Sequence, residues 1–170
     1  MRVAGLWYPL GVLTELHLDP VLREGASEAR QLEWDGSIRE MLAPGECVVR
    51  EDLEALSVTM SQQSFVLTGT DADGTQVVRI EIAHNDLTIH ITEYVDIVRQ
   101  IALSAGSLSK LEVLDMAKKA THDNAARKLQ RRCRDLEIDH PTARRLFTLL
   151  LTLKVDTTRL MGVHGHRSIR

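Results

Sequence analysis

The chain has 170 residues, 44% of them hydrophobic and 26% charged, with a formal net charge of −3. That is the make-up of one soluble globular domain, and it excludes a disordered chain, a collagen-like repeat and a coiled-coil rod. Two cysteines, Cys47 and Cys133, are too few for a disulfide framework or a four-thiolate zinc site.

The opening stretch, Met1 to Leu13, is apolar but holds Pro9 and Gly11 and lacks a small-residue cleavage site. It reads as chain entering the core rather than a secretion signal. From Val12 to Asp19 apolar and polar residues alternate, which predicts a half-buried strand ending at Pro20. Ser27 to Leu42 has a capping serine, early glutamates and apolar residues near helical spacing, with Trp34 expected in the core. Pro44-Gly45 ends that helix. Three strands follow, Leu56–Ser61, Phe65–Leu67 and Val77–Ile82, the last two joined by the turn Asp71-Ala72-Asp73-Gly74. Ile82 stands where a calcium loop of the EF-hand type would need glutamate, so the turn is read as a plain one.

From Thr88 the apolar period lengthens to that of a helix, running to Gly106. A second long helix spans Ser107 to about Asp135, with Leu108, Leu111, Leu114, Thr121, Ala125, Leu129 and Cys133 on its inner stripe. A third opens at Asp139-His140-Pro141 and carries the apolar face Ala143 to Leu153. The predicted architecture is α+β: an antiparallel meander of about four strands against about four helices, the last two long and antiparallel. Residues 1–156 form one domain, and 157–170 a basic, flexible tail. No apolar run reaches the ~20 residues of a membrane helix, so a cytoplasmic protein with no membrane contact is expected.

Charge is unevenly spread. Residues 1–106 hold 7 Lys+Arg against 17 Asp+Glu, and residues 107–170 hold 14 against 7. The two blocks dock on each other, or the basic one meets an anionic partner. Within it, Asp115, Lys118, Lys119 and His122 fall at i, i+3, i+4 and i+7, on one helical face. Arg144 and Arg145 sit near a helix N-terminus, where the dipole disfavours cations, which points to a specific partner for them. One turn after His122 comes a second basic group, Arg127, Lys128, Arg131, Arg132 and Arg134; lysine and arginine supply charge to an anion, and His122 titrates near neutral pH in its unperturbed form. The alternative is a structural network tying the two C-terminal helices together through Asp115 and Asp139.

The strings Val113-Leu114-Asp115-Met116-Ala117-Lys118-Lys119-Ala120-Thr121-His122 and Asp139-His140-Pro141-Thr142-Ala143-Arg144-Arg145-Leu146-Phe147-Thr148-Leu149 resemble the C-terminal motifs of uncharacterised protein family 0262. The resemblance extends over about residues 12–154, is sharpest from Thr142 to Leu149, and implies a bacterial protein. Carried over residue by residue, it points to Asp115, Lys118, Lys119, His122, Arg144 and Arg145 as the candidate binding residues, and implies an architecture but no activity. The family's Gly-Arg-Arg-Gly-Leu-His is replaced here by Ala117 to His122, and its Pro-Phe-Arg-Arg by Asn85 to Thr88.

Three functions compete. The first is a non-catalytic binding or adaptor protein presenting a basic helical face to an acidic protein partner. The second is RNA or DNA binding through the same helices, against which stand a pI of 6.2 and only six aromatic residues for base stacking. The third is an enzyme acting on an anionic small molecule with His122 as acid/base. Binding is put first. No cofactor and no metal are expected, His164-Gly165-His166 being a weak pair in the tail. A homodimer is a further expectation, from apolar surface on Leu149 to Leu153.

Overall fold

The computed structural model describes residues 10–104 and 107–160. Two short strands, β1 (Leu10–Val12) and β2 (Glu15–Leu18), lead into the helices α1 (Pro20–Glu24) and α2 (Glu28–Met41). Strands β3 (Val48–Arg50), β4 (Ala55–Met60), β5 (Ser64–Thr70) and β6 (Gln76–Ala83) follow. The second half is helical: α3 (His84–Leu103), α4 (Leu108–Arg132), a 3-10 turn at Arg134–Leu136, and α5 (His140–Lys154). The α+β class is as expected, with two more strands and one more helix than the sequence pattern suggests.

The main sheet has the order β2-β4-β5-β6. Strands β4, β5 and β6 form the expected antiparallel meander, but β2 joins β4 in parallel, Leu16 opposite Leu56. This corrects the all-antiparallel expectation. The chain between β2 and β4 passes through α1, α2 and β3, a crossover long enough to bring it back in the same direction. The single strand expected over 12–19 is also two strands. The Leu13 N–H bonds the Cys47 carbonyl and the Thr14 N–H bonds the Glu54 carbonyl, so the chain changes partner at that point. Strand β1 pairs with β3 in a separate two-stranded sheet, where a Cβ on Gly11 would stand 2.9 Å from the Arg50 carbonyl oxygen.

Alternation then fixes the faces of the main sheet. Leu16, Leu18, Leu56, Val58, Phe65, Leu67, Val78, Ile80 and Ile82 are buried on one side, while Glu15, His17, Ser57, Arg79 and Glu81 are exposed on the other. The β5–β6 turn is held by the Asp71 carboxylate, which accepts from the N–H groups of Asp73 and Thr75, and by Gly74 at φ +79°.

The helices are set by their caps. The Ser27 hydroxyl accepts from the Arg30 N–H at the start of α2, and the Asp139 carboxylate from the Thr142 N–H at the start of α5. Helix α3 starts at His84, directly off β6 and four residues before the apolar period becomes visible. Helix α5 packs between α2 and α4, and nine of its residues are buried. Its last-turn carbonyls are satisfied from α2. Trp34 Nε1–H donates to the Thr152 carbonyl at 3.1 Å, and the Arg30 guanidinium to the carbonyls of Thr152 and Leu153 at 3.1 Å each.

Leu149, Leu150, Leu151 and Leu153 are at most 3% exposed, so the apolar surface expected there for a homodimer is internal. A helix with neighbours on several sides is apolar on several sides, and no second copy is needed to explain it. The opposite holds at the start of α4, where Leu108, Val113 and Met116 are 65–74% exposed. The inner stripe is buried only from Leu114 onward.

Of the expected tail, residues 157–160 make a helical turn, with Thr157 buried and its hydroxyl donating to Glu33 Oε1 at 2.6 Å. Residues 161–170, which include His164 and His166, lie outside the described residues, as do 1–9. Among the described residues no helix is long and apolar enough to cross a membrane.

Candidate functional site

The six candidate residues are positioned by α4 and by the first turns of α5, and they separate into three groups. Asp115 and Lys119 form an exposed i, i+4 ion pair at 3.0 Å. Such a pair on a solvated helix face contributes about 0.3–0.5 kcal/mol. Lys118 leans over the Tyr94 ring of α3, its Nζ 5.7 Å from the centroid. His122 stands edge-on between two aromatic rings, 5.3 Å from Tyr94 and 5.4 Å from Phe147. Burial in this apolar slot pushes the His122 imidazole down to about 4, helped by the Arg144 and Lys118 cations and opposed by Asp123. At neutral pH the ring is therefore uncharged.

Arg144 crosses from α5 to α4 and donates to Asp123 Oδ1 at 2.7 Å, where His140 Nε2 also lies at 3.0 Å. The His140 contact and the Arg144 guanidinium hold the Asp123 carboxyl below the usual range. Arg145 points elsewhere, donating to the carbonyl and the carboxylate of Glu46 just before β3. The structure thus brings Lys118, His122 and Arg144 into one neighbourhood, leaves Asp115 and Lys119 on the surface, and directs Arg145 to a different element. Both arginines placed against the helix dipole have carboxylate partners in the fold, Asp123 and Glu46, neither of which sequence spacing alone identifies.

A different set of cations lacks such partners. Arg127, Arg131 and Arg134 are exposed and Lys128 is half-buried. Among the described residues none of the four has a carboxylate oxygen within 4 Å, whereas Arg132 between them pairs with Asp86 at 2.6 Å. Arg127 donates only to the Asn124 side-chain oxygen, at 3.1 Å. Positions 127, 131 and 134 follow i, i+4, i+7 spacing over the last two turns of α4 and into the 3-10 turn.

A small, shallow cleft lies between α2, α3 and α5, lined by Glu33, Tyr94, Val98, Thr148, Leu151 and Thr157 among others. It touches the His122 neighbourhood only through Tyr94, whose phenol is pushed up by burial and by the nearby Glu33. Glu33 Oε2 is buried with no donor among the described residues. No sequence signal marks this cleft, because Glu33 reads as an ordinary acidic residue of α2 and Tyr94 as part of an apolar stripe. The two thiols are inert by environment: burial pushes Cys47 up to about 11 and Cys133 up to about 12. Among the described residues no three metal-ligating side chains converge.

The model of an uncharacterised protein family, UPF0262, matches residues 13–156, which includes every element from β2 to α5. The chain belongs to the UPF0262 family. It is 30% identical over 101 residues to a UPF0262 protein of Allorhizobium ampelinum, a stretch that is 58% of this chain and 64% of the relative. It is 42% identical over 55 residues to one of Erythrobacter litoralis, covering 32% and 34%, and 40% identical over 53 residues to one of Methylobacterium radiotolerans, covering 31% and 33%. The chain thus matches between a third and just under two thirds of the length of these UPF0262 relatives. No solved structure matches it.

Proposed function

We propose that this UPF0262 protein is a non-catalytic binding protein that presents the basic outer face of α4 to an acidic protein partner. The carrying observation is the group Arg127, Lys128, Arg131 and Arg134, cations without carboxylate partners among the described residues. The helix dipole accounts for part of this, since cations in a last turn gain about 0.3–1 kcal/mol. Arg127 lies a turn too early for that benefit. Val113, Met116 and Ala120 continue the same exposed side of α4 toward its N-terminus and supply apolar contact beside the charge. Asp115 and Lys119 lie beside this surface and pair with each other, while Arg144 ties α4 to α5 from the other side through Asp123. His122 at about 4 is poorly matched to acid/base work near pH 7, which favours binding over the enzymatic reading. A cytoplasmic setting fits the two free, buried thiols.

The test is capture on the immobilised full chain from a bacterial lysate at about 50 mM and about 300 mM salt, with nuclease treatment in parallel. The captured protein is then purified and its affinity measured against wild type and against the double variant Arg127→Glu, Arg131→Glu. An acidic protein held only at low salt, nuclease-resistant and bound at least about tenfold more weakly by the variant, supports the reading. Capture abolished by nuclease replaces it with nucleic-acid binding. Equal binding by the variant, or no salt-sensitive capture, overturns it.

A further inference from the structure

The two edges of the main sheet are unlike. Strand β2 is four residues long and closed off by Asp19-Pro20, the usual way of blunting an edge. Strand β6 has eight residues, no proline, and no strand on its outer side among the described residues.

The direction of its free backbone groups follows from the ladder. The His84 N–H donates to the Gln63 carbonyl at 2.9 Å. Stepping back two residues at a time, Ile82, Ile80 and Val78 face their β5 partners Phe65, Leu67 and Gly69 with both N–H and C=O. The N–H and C=O of Glu81 and Arg79 therefore point away from the sheet. Only another strand satisfies them in β geometry, and an antiparallel copy of β6 must pair odd-numbered residues with odd-numbered ones. Three such registers lie close together. A twofold axis at Arg79 sets arginine against arginine, and one at Glu81 sets glutamate against glutamate. An axis at Ile80 places Arg79 of each copy directly opposite Glu81 of the other, in pairs that exchange both backbone hydrogen bonds. On the inner face the same register puts Val78 opposite Ile82, and Ile80 against itself. Within one chain Arg79 and Glu81 are only loosely paired, at 3.7 Å, with each side chain more than half exposed. The sequence Val-Arg-Ile-Glu-Ile is thus self-complementary in charge and in apolar pattern about Ile80.

We propose that the UPF0262 chain forms a twofold homodimer by antiparallel pairing of β6 with β6 of a second copy, centred on Ile80, giving a continuous eight-stranded sheet. The occupant is another copy of the chain because the edge is complementary to itself in one register and repels itself in the two adjacent ones. The register shift near Gly69/Thr70 leaves Val78 to Ile82 as the paired segment, with four new backbone hydrogen bonds across the axis. This inference is independent of the basic face on α4.

Sedimentation equilibrium of the full chain over about two decades of concentration tests it, with folding of each variant checked by circular dichroism. Wild type is expected to associate reversibly to a dimer. Arg79→Glu and Glu81→Arg each create two like-charge pairs, and each is expected to weaken self-association at least about tenfold. Mixing these two variants creates two opposite-charge pairs, and is expected to yield a heterodimer at concentrations where each alone is monomeric. The double variant Arg79→Glu, Glu81→Arg is expected to dimerise like wild type. Both side chains are more than half exposed; Glu81→Arg also gives up the 2.7 Å bond that Glu81 Oε1 accepts from the buried Ser64 hydroxyl, whose other partner is the Ser61 hydroxyl, so Arg79→Glu is the variant with no such internal contact to lose. A wild type that stays monomeric throughout overturns the proposal, as does a dimer indifferent to these charges or a mixture that fails to associate.

Discussion

His122 is an uncharged ring in a place where protonation is resisted from three elements, and that has a measurable consequence. The groups facing it are Tyr94 on α3, Lys118 and Asp123 on α4, and Phe147 and Arg144 on α5. Unfolded, the imidazole takes up a proton near 6.5, whereas the folded ring resists until about 4. Between those values the unfolded state binds more protons, so stability rises with pH. The contribution is complete above about 6.5 and is lost as pH falls toward 4. For the full shift, moving from pH 8 to pH 5 removes about 2 kcal/mol; solvent screening of a part-exposed ring reduces this to about 1 kcal/mol. Urea unfolding at both pH values, for wild type and His122→Gln, isolates the effect, since glutamine does not titrate. The variant is expected to be less stable at pH 8 and to lose about 1 kcal/mol less than wild type on going to pH 5. A nuclear magnetic resonance titration placing His122 between 6 and 7, or identical pH slopes for the two proteins, would refute the reasoning.

Three other outcomes follow from the packing. Thr142→Val removes the hydroxyl that accepts from the Val48 N–H at 2.9 Å and donates to the Glu46 carbonyl at 3.3 Å, and is expected to lower unfolding stability by about 1–3 kcal/mol in a urea titration. Gly69→Ala brings a Cβ within 2.3 Å of Leu53 Cδ1 and 2.6 Å of Val78 Cγ1; the side chains must move, and a loss of about 1–3 kcal/mol is expected from thermal or chemical unfolding. Cys47 and Cys133 are expected to resist a thiol reagent at pH 8 in the native state and to react in denaturant; rapid native labelling of either would contradict their burial.

Helix limits were legible at two of the caps, whereas Asp19, which accepts from the Val21 N–H at the start of α1, was read only as the end of a strand. Ser27 and Asp139 mark the starts of α2 and α5 within a residue, and Asp71 to Gly74 marks the β5–β6 turn. Strands β1 and β3 were not legible, because three residues are too few to show alternation. The parallel placement of β2 was hidden for a different reason: alternation reports which face a side chain takes, not which way its neighbour runs. At the candidate site, spacing offered Asp115 two partners, Lys118 and Lys119, and the fold pairs it with Lys119, one turn on. Spacing could not foresee Asp123 for Arg144, or Glu46, 99 positions away, for Arg145. The fate of a cation depends on which distant carboxylate the fold delivers, and helical periodicity carries no record of that.

The position of α5 also bears on how the chain is made. Trp34 leaves the ribosome more than a hundred residues before Thr152, whose carbonyl its indole N–H needs. At ordinary synthesis speeds that interval is on the order of ten seconds. Throughout it, the nascent polypeptide carries an indole and an arginine meant to seat against a helix not yet synthesised. The seam between α2 and α5 therefore closes only once α5 has been made, and until then this face of α2 stays open to water.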